Sequence, residues 1–297
     1  LRKLERLGLA SEIAPGQWTL AGDAQAALRE LGERDDIIKR MHKAMSDRGI
    51  DRGAGSYVLD ADPAQPVIGR LVDRGLHDEL TGKAYAIVDG IDGRTHHVQL
   101  PDIEATGDCR PGAIVELRRF EDRKGRQRVA LAVRSDMDLE AQVRAPGATW
   151  LDRRNLSGDG HDLGGGFGTE VRAAMEARAE HLADEGLARR QGQRIIFARN
   201  LLDTLRRREL DAAAKDLSAE IGQPHAPSKA GEYVAGTVRQ RITLASGRFA
   251  MIDNGLSFQL VPWSPSLDRQ IGKHISGVMR TGGGVDWSFG RGRGLGL

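Results

Sequence analysis

The chain has almost no cysteine: Cys109 is the only one in 297 residues. That excludes an intramolecular disulfide and a cysteine-based zinc cluster. Cys109 lies in Gly107-Asp108-Cys109-Arg110, where the expectation is an incidental surface thiol in a polar turn, compatible with a reducing cytoplasm. Long apolar runs are also missing. None approaches the roughly 18 residues of a membrane span, and no secretory leader is read at the start, so the expected setting is cytoplasmic with no membrane partner. Charge of one sign is lacking as well. With 44 Lys and Arg against 42 Asp and Glu, the balance excludes a histone-like polycation. Lysine is scarce, and most of the positive charge is arginine, which can bridge a phosphate with two parallel hydrogen bonds and stack on bases. GC-rich coding enriches Arg, Ala and Gly too, so the arginine content by itself does not identify a nucleic-acid partner.

Catalytic constellations are the next absence. His96 and His97 are adjacent, and neighbours on a strand point to opposite faces, which defeats joint metal binding. His77-Asp78-Glu79 and His161-Asp162 lack a third ligand at useful spacing. Gly164-Gly165-Gly166-Phe167-Gly168 precedes a helix, but lacks the Lys-Ser/Thr of a phosphate-binding loop. The tyrosines are Tyr57, Tyr85 and Tyr233. Tyr57 and Tyr233 begin strands, Tyr85 reads as core, and none reads as a nucleophile. No catalytic residue, metal or cofactor is therefore expected.

What the sequence has is an internal repeat. Ala84-Tyr85-Ala86-Ile87-Val88-Asp89-Gly90 is echoed by Phe249-Ala250-Met251-Ile252-Asp253-Asn254-Gly255. Each follows a Gly-Lys or Gly-Arg turn, and each leads to a strand ending in proline, at Pro101 and Pro262. Each is then followed by a glycine-led strand, from Gly112 and from Gly272. Upstream, Leu7-Gly8-Leu9-Ala10 with Gly16-Gln17-Trp18-Thr19-Leu20 is matched by Glu185-Gly186-Leu187-Ala188 with Gly192-Gln193-Arg194-Ile195-Ile196-Phe197. A period of about half the chain means two domains of one type rather than a solenoid.

Within each repeat the pattern reads helix, short hairpin, helix, then strands. Leu1, Leu4 and Leu7 mark a helix ended by Gly8. Helices are expected over Ala24–Gly32 and Asp35–Asp47, the second with Ile37, Ile38, Met41 and Met45 on one face. Strands are expected over Ser56–Leu59, Val67–Val72, Ala84–Val88, His96–Leu100, Ala113–Arg119 and Arg128–Arg134. Five or six short strands with Gly turns argue for a small closed barrel. The expected fold class is therefore α+β, two repeated modules of a winged-helix-like helical segment followed by a small β-barrel. The boundaries are 1–52 helical, 53–135 first barrel, 136–168 Gly-rich linker, 169–223 second helical segment, and 230–297 second barrel with a basic tail, after a short linker at 224–229. Leu1-Arg2-Lys3 reads as mid-helix, and the expectation is a piece of a longer protein that continues upstream.

Three basic constellations are candidates for DNA contact. Arg118, Arg119, Phe120, Arg123, Lys124 and Arg126 belong to a hairpin of the kind with which small barrels grip oligonucleotides; an ordinary polar hairpin is the alternative. Arg206, Arg207 and Arg208 follow one another on a helix, and at about 100° per residue they cannot share a face. A phosphate-binding helix competes there with a solvated face paired to Asp203, Glu209 and Asp211. In the tail, Arg291 and Arg293 accompany Trp287 and Phe289, a composition suited to stacking on single strands or to a last strand that buries its aromatics.

Six separated segments carry a family resemblance: Leu-Gly-Glu-Arg-Asp-Asp-Ile-Ile-Lys (31–39), Gly-Ala-Thr-Trp-Leu-Asp-Arg (147–153), Phe-Ala-Arg-Asn-Leu-Leu (197–202), Leu-Ala-Ser-Gly-Arg-Phe-Ala-Met-Ile-Asp (244–253), Leu-Val-Pro-Trp (260–263) and Trp-Ser-Phe-Gly-Arg (287–291). Over its whole length the chain resembles the C-terminal region of bacterial conjugative relaxases of the T-DNA border endonuclease type. The resemblance implies a region without assigned function, downstream of a nuclease domain that nicks plasmid DNA with a tyrosine nucleophile and a histidine-bound metal. No segment here matches that tyrosine or histidine cluster. The expected function is a non-catalytic accessory region that binds single- or double-stranded DNA. The alternative is a scaffold that docks the relaxase on relaxosome or coupling proteins. A weaker third reading is an enzyme in the 140–170 loop, with His161 and Asp162.

Overall fold

Gly8 adopts φ +72° and stops the first helix, so the chain turns at once into a hairpin. In the computed structural model, which describes residues 1–59, 65–121, 124–158, 162–192 and 194–289, this gives α1 (Arg2–Arg6), β1 (Ala10–Ala14), β2 (Gln17–Leu20) and α2 (Ala24–Ser46). The two helices expected over Ala24–Asp47 are one. Gly32 and the polar residues around it continue the helix, since an interior glycine costs a helix only about 1 kcal/mol. Six strands follow: β3 (Tyr57–Val58), β4 (Val67–Asp78), β5 (Lys83–Gly90), β6 (Thr95–Leu100), β7 (Ile114–Glu121) and β8 (Gln127–Ser135). They form one sheet in the order β3-β6-β5-β4-β7-β8.

The segment expected as linker carries two helices, α3 (Leu139–Val143) and α4 (Trp150–Ser157). One of its glycines is tightly packed: Gly164 N–H donates to Ile91 O at 2.8 Å, and a Cβ on Gly164 would lie 2.2 Å from Asp92 O. Then come α5 (Phe167–Asp184), β9 (Ala188–Gln191), β10 (Arg194–Phe197) and α6 (Leu201–Ile221). The last sheet is β11 (Tyr233–Leu244), β12 (Gly247–Asp253), β13 (Phe258–Pro262), β14 (His274–Met279) and β15 (Val285–Ser288), in the order β13-β12-β11-β14-β15. The short linker at 224–229 is also engaged, because Phe258 N–H donates to Pro224 O and Ala226 N–H to Phe258 O. The chain divides into two units, residues 1–133 with 163–169, and residues 134–162 with 170–297.

The fold is mixed α+β, and, β3 aside, the two sheets share one strand order. β4 and β11 each run 12 residues, and each has a bulge where it passes between neighbours, at Leu71/Asp73 and at Val238/Gln240. Gly112 N–H donates to Leu71 O and Gly272 N–H to Val238 O. A Cβ on Gly69 would lie 2.2 Å from Asp89 O, and one on Gly236 2.5 Å from Asp253 O. The helical parts match as closely. Leu9 N–H reaches Leu4 O and Ala21 N–H reaches Leu9 O, while Leu187 N–H reaches Leu182 O and Ala198 N–H reaches Leu187 O.

Neither sheet closes into the barrel expected of it. Among the described residues, the edge strands, β3 and β8 in one sheet and β13 and β15 in the other, do not pair with each other. β3 has two residues and β15 four, too short to complete a hydrogen-bonded ring. The first core gathers Val67, Leu71, Val88, Val98, Val115 and Leu117. Cys109 belongs to it at 1% exposure. The polar-turn reading therefore fails: the turn folds its thiol under the sheet, where Cys behaves as a small hydrophobe. The second core gathers Val234, Val238, Ala250, Ile252, Val261 and Ile275.

Candidate nucleic-acid interface

β7 changes character halfway along its length. Ile114 to Leu117 are buried and Arg118, Arg119, Phe120 and Glu121 are exposed. Arg118 Nε bonds the Glu116 carboxylate. Across the turn Lys124 and Arg126 are exposed and Arg128 is half-buried. The hairpin thus presents a basic, Phe-tipped edge of the first unit to solvent. Arg123 lies outside the described residues, as do Arg291 and Arg293. Next to the latter, the tail aromatics split. Trp287 packs on the second core, while Phe289 is exposed.

The arginine triplet on α6 splits as its geometry requires. Arg207 and Arg208 are exposed, and Arg206 turns inward, its guanidinium 5.4 Å from the centre of the Phe249 ring. Glu209 is no surface partner for them. It is buried, and its carboxylate accepts the N–H groups of Ala245 and Ser246 at 2.8 and 2.9 Å. Sequence reasoning missed a further convergence there. Arg153 has its pKa lowered, first by crowding of its guanidinium and then by the like charges of Arg206 and Arg134. Although Arg153 counts as exposed by surface area, neighbouring atoms crowd it on one side, where it reaches Ser246 O at 3.4 Å. The only sequence hint was the Asp152-Arg153-Arg154 run after Trp150.

A second polar feature lies in the first unit, between α2 and the sheet. A cleft of about 360 Å³ is lined by Arg40, Lys43, Arg48, Asp73 and Tyr85 among others. Arg40 lies 4.5 Å over the Tyr85 ring and 3.3 Å from His77 Nδ1. Tyr85 Oη donates to Asp73 at 2.7 Å, and burial, aided by that hydrogen bond, pushes its pKa up to about 12. His97 stacks on Tyr85 at 5.5 Å. Burial and the charges of His77 and Arg40 push it down to about 4, and its Nε2 has no hydrogen-bond partner. His96 faces the other way, to Asp92 at 3.0 Å. Among the described residues no three His, Cys, Asp or Glu side chains are grouped to hold a metal. His161 lies outside the described residues.

No helix among the described residues is long and apolar enough to cross a membrane. The model of one family, described as a protein of unknown function (DUF3363), matches residues 1–126 and 117–296. No curated protein and no solved structure matches the chain significantly.

Proposed function

We propose, from the premise that the chain belongs to the DUF3363 family of proteins of unknown function, that it is the non-catalytic C-terminal region of a plasmid conjugation or mobilisation relaxase. On this reading it binds DNA near the transfer origin or positions a nuclease domain that lies upstream. On this reading each repeat is a winged-helix-like segment followed by an antiparallel-rich sheet. The observation that carries the reading is the β7–β8 hairpin, on which Arg118, Arg119, Lys124 and Arg126 are exposed together with Phe120. Phosphate neutralisation by such side chains and base stacking on such a ring are how single strands are held without sequence preference. Exposed Arg207 and Arg208 on α6 supply a second basic feature.

A second reading, a scaffold for relaxosome or coupling proteins, is favoured by a different observation. The chain is near neutral overall, and its first helix–hairpin–helix exposes leucines.

The two readings separate in a salt titration with single- and double-stranded DNA. For DNA binding, affinity falls with salt at a log–log slope of about −0.7 to −0.9 per phosphate contacted. Replacing Arg123, Lys124 and Arg126 together by alanine flattens that slope by about two to three units. Replacing Arg291 and Arg293 weakens single-strand binding more than duplex binding. Weak binding that no such change alters leaves the scaffold.

A further inference from the structure

The matching hydrogen bonds at Gly8 and Gly186 align the repeats residue by residue. Leu1, Leu4 and Leu28 hold the places of Ala179, Leu182 and Leu205. In the second repeat all three places are covered: Ala179 is 4% exposed, Leu182 0% and Leu205 1%. Ala148 packs in one cluster with Leu182 and Leu205, from a segment that Arg178 clamps through the carbonyls of Val143, Ala145 and Gly147. In the first repeat these places are less covered: Leu1 is 63% exposed, Leu28 42%, and Leu4 is half-buried. Leu7, Leu20 and Leu31 are exposed beside them, and α2 from Gln25 to Asp36 has no buried residue. Scattered leucines on a surface need no explanation, but a run of them over one helix–hairpin–helix does. A bare half-helix of that length has little to stabilise it in water.

We propose that residues 1–36 form a docking face for a polypeptide segment lying outside residues 1–297, one that repeats the chemistry of Ala145-Pro146-Gly147-Ala148-Thr149-Trp150-Leu151. That chemistry is a short extended stretch of small residues, a Thr cap and a helix that opens on large apolar side chains. In the second repeat Thr149 and Asp152 form such a capping box, which fixes the angle at which the helix enters. The occupant of the first repeat needs a small residue over Leu28 and an apolar residue against Leu1 and Leu4. The inference rests on the internal repeat and is independent of DNA binding.

The probe is a fluorescent peptide with the sequence of residues 143–158, titrated into the full chain. The expected result is saturable binding, weakened at least tenfold by Leu28→Glu and unchanged by Arg207→Ala. Hydrogen exchange of the residue 25–36 amides should slow at least tenfold at saturation. Leu28 is already solvent-exposed, so circular dichroism of the Leu28→Glu chain should match that of the parent. Absence of saturable binding, or binding indifferent to Leu28→Glu, overturns the proposal. So does concentration-dependent self-association abolished by Leu28→Glu, which would make a second copy of the chain the occupant.

Discussion

The two repeats use one topology and differ in part of the seam between long helix and sheet. In the second, Ala214, Leu217, Ile242, Met251, Phe258 and Leu260 make it apolar. In the first, Met41, Met45, Val72 and Ile87 also form an apolar core, but Arg40 stands where Leu217 does, Tyr85 where Phe249 does and His97 where Leu260 does. The second repeat shows that the fold does not need those polar groups. A buried histidine without a partner costs stability, and the first repeat retains one beside an open cleft. The difference teaches that strand order and turn glycines specify this fold, while the seam is open to change.

The largest effect is expected in the second unit, at a buried ion pair. Arg178 and Asp152 are both fully buried and joined at 2.8 and 3.0 Å. Removing one partner strands the other charge, which costs about 3–5 kcal/mol. Arg178→Ala should therefore lower the second unit's midpoint in urea by that equivalent and leave the first unit's transition in place. Coincident loss of both transitions would show that the repeats do not fold separately.

This pair also marks where sequence reasoning stopped. The duplication was legible because turns need glycine at positive φ and because strands alternate, signals that survive divergence at Gly8 and Gly186 or Gly112 and Gly272. Arg178 was not legible. It sits among Arg and Glu residues on a helix, and only the approach of the 143–152 segment buries it. Glu209 was hidden in the same way, since a carboxylate after three arginines reads as their surface partner. The two-residue β3 gave no warning that the barrel would stay open. Of the candidate site, the exposed hairpin followed from pattern alone, while Arg153 and Arg134 came together only through tertiary contact.

The seam itself offers an effect of intermediate size. His97 is depressed from 6.5 to about 4. The unfolded chain therefore takes up a proton as pH falls through 6.5, and the folded chain does not until near 4. Stability is full above pH 6.5, declines across that window, and is lower by up to about 3 kcal/mol once both states are protonated. His97→Leu, the residue of the second repeat, should remove that decline and raise stability at neutral pH by about 1 kcal/mol by eliminating the buried Nε2. Urea unfolding at pH 7 and pH 4.5 measures both. An unchanged acid slope would mean that His97 is more hydrated than its burial implies.

The smallest difference concerns one helix position. Arg206 and Arg29 are equivalent, since Leu201 and Ala24 begin their helices with the same hydrogen bond to the preceding turn. Arg29 is solvated and pairs only with Glu33 at 3.2 Å, a contact of the exposed i,i+4 kind worth a few tenths of a kcal/mol. Arg206 instead lies over Phe249, whose ring is buried beneath it, and long basic side chains stabilise through such apolar coverage as well as charge. Arg206→Ala should cost about 1 kcal/mol, and Arg29→Ala, Arg207→Ala and Arg208→Ala less than about 0.5 kcal/mol each. The same four variants rank differently in DNA binding. There Arg207 and Arg208 should matter and Arg29 should not. If Arg206→Ala leaves stability unchanged and weakens binding as much as Arg207→Ala does, the side chain leaves the ring to reach phosphate, and the triplet acts as one basic face after all.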